Sequence, residues 1–156
     1  MDKKKLLIVV NEAWFFNSHR LSLALSAKKN NYEVHVAAHG DKKSIIKIKN
    51  SGLIFHNIPF KRSSTNILTE LPTLLSLVKL YKKIMPDIVH HVTIKPIVYG
   101  GIAAKITSVP HVVSAISGLG IIFIDKGFIS YIRKSIVKII YKFLLMKKNN
   151  KIIFQN

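Results

Sequence analysis

Short runs rich in β-branched residues alternate with longer segments of helical period along the whole of this chain, and that alternation restricts its fold more than any other feature. The predicted strands are Lys5–Val10, Glu33–Ala38, Leu53–Ile58, Ile88–Thr93, His111–Ile116 and Lys151–Phe154. Between them the spacing predicts helices over Ser18–Asn30, Asp41–Asn50, Ile67–Ile84, Ile97–Thr107 and Phe128–Lys147. Strands joined through helices pair in parallel by right-handed crossovers, with helices on both faces. The expected fold is α/β: a doubly wound parallel sheet in three layers, α/β/α. Local chemistry marks the boundaries. Ser18 and Asp41 are expected N-caps, and Ser51-Gly52 a left-handed stop. Pro86 ends the third helix, while Pro72 predicts a helix start there, after a separate turn.

Composition narrows the function. The 156 residues are one domain's length, and a hydrophobic content of 49% supports a folded core. Lys and Arg number 25 against 7 acids, a formal charge of +18 that calls for an anionic partner. The absence of cysteine excludes disulfides, thiol chemistry and Cys-based metal centres. The acids are Asp2, Glu12, Glu33, Asp41, Glu70, Asp87 and Asp125, of which only Glu12 and Asp125 fall near candidate loops. Leu6–Val10 is too short for a signal-peptide core, and no window reaches the roughly 18 apolar residues of a membrane span. A cytoplasmic chain is expected, with attachment to a membrane surface left open.

In open α/β sheets ligands bind beyond the carboxyl ends of the strands. The first such loop, Asn11–Asn17, has neither G-x-G-x-x-G nor a P-loop, which removes dinucleotide binding and P-loop hydrolysis. It carries Trp14, Phe15 and Phe16, then His19 and Arg20. The aromatics either stack on a sugar or headgroup or close the end of the core, and Arg20 either grips a phosphate or is solvated. His90 and His91 point to opposite faces of a strand and cannot share a metal, so no metal site is expected. Lys95, just before Pro96 at a helix start, is a phosphate candidate or a solvated lysine. Gly100-Gly101 reads as a close approach of helix and strand. Ser117-Gly118-Leu119-Gly120 lets backbone approach a ligand.

The segment Lys126–Lys151 holds eight Lys or Arg residues and no acid, with Arg133, Lys134, Lys138 and Lys142 set against an apolar stripe of Ile129, Ile132, Ile136, Ile139 and Phe143. Such a basic amphipathic helix fits an anionic membrane surface, where each lysine contributes about 1 kcal/mol. Packing on the sheet with a solvated basic face fits the same pattern. Nucleic acid is the competing anion, but no recognition module is present and it is disfavoured.

Three stretches together, FFNSHRLSLALSAKKNNYEVHVAAHG, PDIVHHVTIKPIVYGGIAAKITSVPHVVSAISGLGIIF and KIIFQN, resemble the N-terminal domain of family 4 glycosyltransferases of the GT-B fold. The resemblance covers essentially the whole chain and is strongest toward bacterial enzymes that extend undecaprenyl-diphosphate-linked glycans. It implies a Rossmann-like acceptor-side domain, associated with the inner face of the cytoplasmic membrane, for transfer of a hexose or N-acetylhexosamine to a polyprenyl-diphosphate-linked glycan. By position, Asn17, His19, Arg20, His91 and Lys95 would hold the acceptor and its phosphates. Ser117, Gly118 and Gly120 would lie beside the transferred sugar. Relatives carry a histidine in this last loop; here the loop reads ISGLG. The family's donor domain, with its E-x7-E arrangement and nucleotide sugar, is not represented in this sequence. The expectation is therefore a chain inactive alone, needing no cofactor of its own and a partner chain for the donor. A non-catalytic, membrane-docked scaffold is the competing expectation.

Overall fold

The computed structural model describes residues 3–60, 67–117 and 150–155. Its strands are β1 (Lys5–Glu12), β2 (Glu33–His39), β3 (Ile54–Asn57), β4 (Ile88–Val92), β5 (His111–Ser117) and β6 (Asn150–Gln155). They form one sheet in the order β3-β2-β1-β4-β5-β6, every pair parallel, which is the doubly wound arrangement that the alternation predicts. The helices are α1 (Ala13–His19), α2 (Leu21–Lys29), α3 (Lys42–Asn50), α4 (Ile67–Ile84) and α5 (Gly101–Ile106), the last preceded by a π-helical turn at Pro96–Gly100.

Strand alternation divides the core into two halves. On one face Leu7, Val9, Ala37, Val89 and Val112 meet α4 and α5 through Leu77, Tyr81, Ala103 and Ala104. On the other, Ile8, Val10, Val34, Val36 and Ala38 meet α1, α2 and α3 through Ala13, Phe16, Ala24 and Ile48. Asp87 locks the amino ends of β1 and β4 together: its Oδ2 accepts from the Lys5 backbone N–H at 2.7 Å, and its own N–H donates to the Lys5 carbonyl at 3.0 Å.

Several expected boundaries stand. Asp41 caps α3, accepting from the Ser44 N–H at 2.9 Å, and Gly52 closes that helix at φ +70°. Three others change. The stretch expected as the first loop is the end of β1 followed by α1, because burial of Ala13 and Phe16, one turn apart, draws it into a helix. Ser18 consequently lies inside α1 and donates to the Trp14 carbonyl rather than capping a helix. Arg20 is the hinge between α1 and α2: its N–H reaches the Phe16 carbonyl while its own carbonyl accepts from Ala24. Pro72 lies within α4 and does not begin it. The basic helix expected over Phe128–Lys147, with Arg133, Lys134, Lys138 and Lys142, lies outside the described residues.

Candidate functional site

The strand order reverses between β1 and β4, and the crevice outside their carboxyl ends is where a doubly wound sheet accepts a ligand. The pairing of β1 with β4 runs as far as Val9 with His91, and just beyond it the two strands lead to Asn11 and Thr93. Both residues are unusual. The β1 register slips against β2 between Val9 and Glu12, and Asn11 Oδ1 is enclosed with no hydrogen-bond partner. Thr93 is held at φ 74°, a left-handed conformation that a β-branched side chain resists, and its enclosed Oγ1 is also without a partner.

Beyond Thr93 the chain turns into the helical segment that carries Lys95. The Lys95 ammonium donates to Glu70 Oε1 at 2.6 Å, and Glu70 itself is fully buried with Oε2 unsatisfied. Glu70 arrives there because α4 follows β3 and therefore begins at the carboxyl end of the sheet. Sequence order alone sets only Glu12 and Asp125 near candidate loops; Glu70 joins the site through a contact between residues 25 apart, which becomes visible only with the topology. Burial raises the Tyr99 pKa, and the Glu70 charge raises it further, which places that phenol within the carboxylate's field. The π-helical turn at Pro96–Gly100 widens the backbone at the same place, a feature that recurs at binding sites.

On the opposite face of the sheet lie the residues contributed by α1 and α2. Arg20 is 7% exposed and donates from a terminal nitrogen to the His19 carbonyl at 2.9 Å. His90 is buried nearby; burial first, and the Arg20 charge second, push its pKa down to about 4, so it is neutral at pH 7. Asn17 donates from Nδ2 to the Ser44 carbonyl at 3.0 Å and leaves Oδ1 enclosed and unpartnered. His19 is exposed and stacks on Phe15 at 4.3 Å, while Phe16 is core and Trp14 is 46% exposed. The aromatics thus divide between the two readings.

His91 does not join either group. Its ring is fully buried, Nε2 meets the Tyr81 hydroxyl at 2.8 Å, and burial drives its pKa to about 3. It is a core residue beneath Gly100, where a Cβ would stand 2.5 Å from His91 Nε2. That contact explains Gly100 as the close approach expected of the glycine pair. Ser117 ends β5, and Gly118 and Gly120 lie outside the described residues. Among the described residues no cluster of three His, Cys, Asp or Glu side chains is set to hold a metal, and no helix is long and apolar enough to cross a membrane.

The fold recurs in solved glycosyltransferases. Acinetobacter baumannii MurG superposes with a TM-score of 0.58 at 14% identity, covering 98% of this chain and 45% of that one. A glycosyltransferase from Rickettsia africae gives 0.63 at 16% identity, covering 100% and 44%. The glycosyltransferase VinC, solved in complex with dTDP, gives 0.55 at 16% identity, covering 92% and 39%. The chain thus spans less than half the length of these structures. No curated protein sequence matches it. The family described as "Glycosyl transferase 4-like" matches residues 5–156, the sheet and the whole switch-point crevice included. A doubly wound domain of the GT-B type, matched over nearly its full length, makes this chain a member of the glycosyl transferase 4-like family.

Proposed function

We propose that this chain is the acceptor-binding side of a glycosyltransferase that moves a hexose or N-acetylhexosamine from a nucleotide sugar to a polyprenyl-diphosphate-linked glycan at the inner face of the cytoplasmic membrane. The observation that carries the reading is the trio of enclosed oxygens at the switch point, Asn11 Oδ1, Thr93 Oγ1 and Glu70 Oε2, each lacking a partner. Enclosed polar oxygens without partners are costly. Asn11 Oδ1 and the Glu70 carboxylate only accept, whereas the Thr93 hydroxyl donates and accepts. Sugar hydroxyls, which also do both, satisfy all three; a fully ionised phosphate can meet only the threonine. In this reading the acceptor sugar lies against the trio, Lys95 and Arg20 face the diphosphate, and Asn17 and His19 line the entrance. The Ser117–Gly120 loop adjoins the transferred sugar, and Arg133, Lys134, Lys138 and Lys142 meet anionic headgroups. In this reading the nucleotide sugar is held by a separate donor domain of the enzyme.

Co-sedimentation of the chain with anionic vesicles, with and without a polyprenyl-diphosphate-linked sugar, tests it. The lipid-linked sugar is expected to tighten binding, and Asn11→Ala to remove about tenfold of that gain, equivalent to about 1.4 kcal/mol. Labelled sugar should enter the acceptor only when a donor-domain chain is added. Equal binding to both vesicle types would leave the membrane-docked scaffold as the reading, and incorporation by this chain alone would refute the division of labour.

A further inference from the structure

A second polar assembly stands at the β3 edge of the sheet, separated from the switch point by β2 and β1. His35 on β2 is buried, with Nε2 2.8 Å from Glu33 Oε1 and Nδ1 2.9 Å from Nε2 of His56 on β3. The two rings stack 5.2 Å apart at 20°. With both rings neutral these contacts admit one arrangement of hydrogens. Glu33 accepts, and its bond to His35 is the main reason its pKa is lowered, so His35 Nε2 carries a hydrogen. In the neutral ring Nδ1 then accepts, so His56 donates from Nε2. His56 Nδ1 is left as the open end of a three-member chain.

That open end borders a groove of about 410 Å³ between β3 and α4. Its polar lining is His56, Asn57, Ser76, Lys79 and Lys83, with Leu80 beneath; no carboxylate lines it. Lys79 and Lys83 are one turn apart on α4 and both exposed, so two ammonium groups flank the same opening. The charged groups acting on the chain are few: Lys83 opposes protonation of His56, as does His35, while Lys3 and Lys5 act on Glu33. With burial as the largest cause, His56 titrates at about 4, and it is neutral when the groove is empty. An anion between the two lysines offsets the repulsion from Lys83 and favours the charged ring. A phosphate group suits this arrangement best, because it keeps at least one negative charge throughout the range in which His56 titrates and has several oxygens to meet both ammonium groups. Its oxygens also accept from Ser76, Asn57 and a protonated ring.

We propose that this groove is a phosphate-binding site, distinct from the switch-point crevice, and that bound phosphate favours protonation of His56 at Nδ1. Binding and protonation are then linked reciprocally: phosphate raises the proton affinity of His56, and acid raises the affinity for phosphate. The chain to His35 survives, because the new hydrogen sits on the nitrogen that His35 does not use.

The test follows the ring signals of His56 in the full chain by NMR, titrated in inorganic phosphate and in chloride at matched ionic strength. Phosphate should raise the His56 midpoint by about one pH unit, equivalent to about tenfold tighter binding to the charged form. Lys79→Ala/Lys83→Ala, at exposed positions, should keep the His35 and His56 signals and lose the shift. His56→Gln should retain weak phosphate binding with no dependence on pH between 4 and 6, the window of the proposed linkage. A second arm uses neutral vesicles doped with a phosphomonoester lipid. Sedimentation that depends on Lys79 and Lys83 identifies a headgroup as the source; a response to inorganic phosphate alone identifies a soluble phosphate. An unchanged His56 titration in phosphate, or the same shift in the lysine double variant, overturns the proposal.

Discussion

Thr93 holds the least comfortable backbone at the switch point, a β-branched residue at φ 74° whose hydroxyl is enclosed without a partner. Conformations of this kind cost about 1–3 kcal/mol and persist where surrounding structure enforces them. Thr93→Gly removes both the strained Cβ and the orphan hydroxyl, so it should raise the urea midpoint while weakening binding of the lipid-linked sugar. A variant that loses both stability and binding would show that Thr93 serves the fold alone. Gly100 makes the opposite case. Its missing Cβ is what lets the π-helical turn lie against His91 and the Tyr81 hydroxyl, which would stand 2.5 and 3.0 Å away. Neither can retreat, because both are fully buried. Gly100→Ala should therefore cost about 1–3 kcal/mol, seen as a lower thermal midpoint, with the lost Tyr81–His91 bond visible in the histidine ring signals.

Among the elements, α4 does two jobs, covering one face of the sheet through Leu77 and Tyr81 and delivering Glu70 to the carboxyl end of β4. Removing Lys95 takes the 2.6 Å partner from a fully buried carboxylate. Lys95→Met should destabilise the chain by about 3 kcal/mol in urea unfolding, and Glu70→Gln in the same background should restore part of that loss. No recovery in the double variant would mean that the pair is not coupled. The bounds of α4, Ile67–Ile84, are those that the apolar spacing predicts, and the strands lie within two residues of their expected ends. What the spacing could not express was α1. Its N-cap is Glu12, which makes no side-chain capping bond, and its helicity rests on tertiary burial of Phe16. The site divides the same way. Arg20 and Lys95 are visible as cations after strands, whereas the partner of Lys95 and the enclosure of His91 depend on which helix folds over which strand. Even so, the strand parity that set His90 and His91 on opposite faces did correctly separate them.

At the scale of the whole molecule, the buried histidines link folding to pH. His90 titrates at about 4 and His91 at about 3, both depressed chiefly by burial from an ordinary value of 6.5. Between those values the unfolded chain binds more protons than the folded one, so stability rises with pH there. The contribution is fully present above about pH 6.5 and declines as the pH falls through the folded values, by up to about 1.4 kcal/mol per pH unit for each ring. Urea midpoints measured from pH 7 down to pH 4 should drop progressively; a flat profile across that range would show that both rings titrate in the folded chain as they do in the unfolded one.

The bond between the Lys5 N–H and Asp87 Oδ2 spans 82 positions of sequence, and it has a bearing on how the protein is made. At a synthesis rate of about 5–20 residues per second, β1 waits roughly 4–16 s for β4 to be polymerised. During that interval its β2 side can already be paired, while its other side, with the hydrogen-bonding edge that β4 will later occupy, stays open. A half-sheet of β3, β2 and β1 formed in that interval would present one raw inner edge, and the switch-point crevice cannot exist until the ribosome has moved past Lys95.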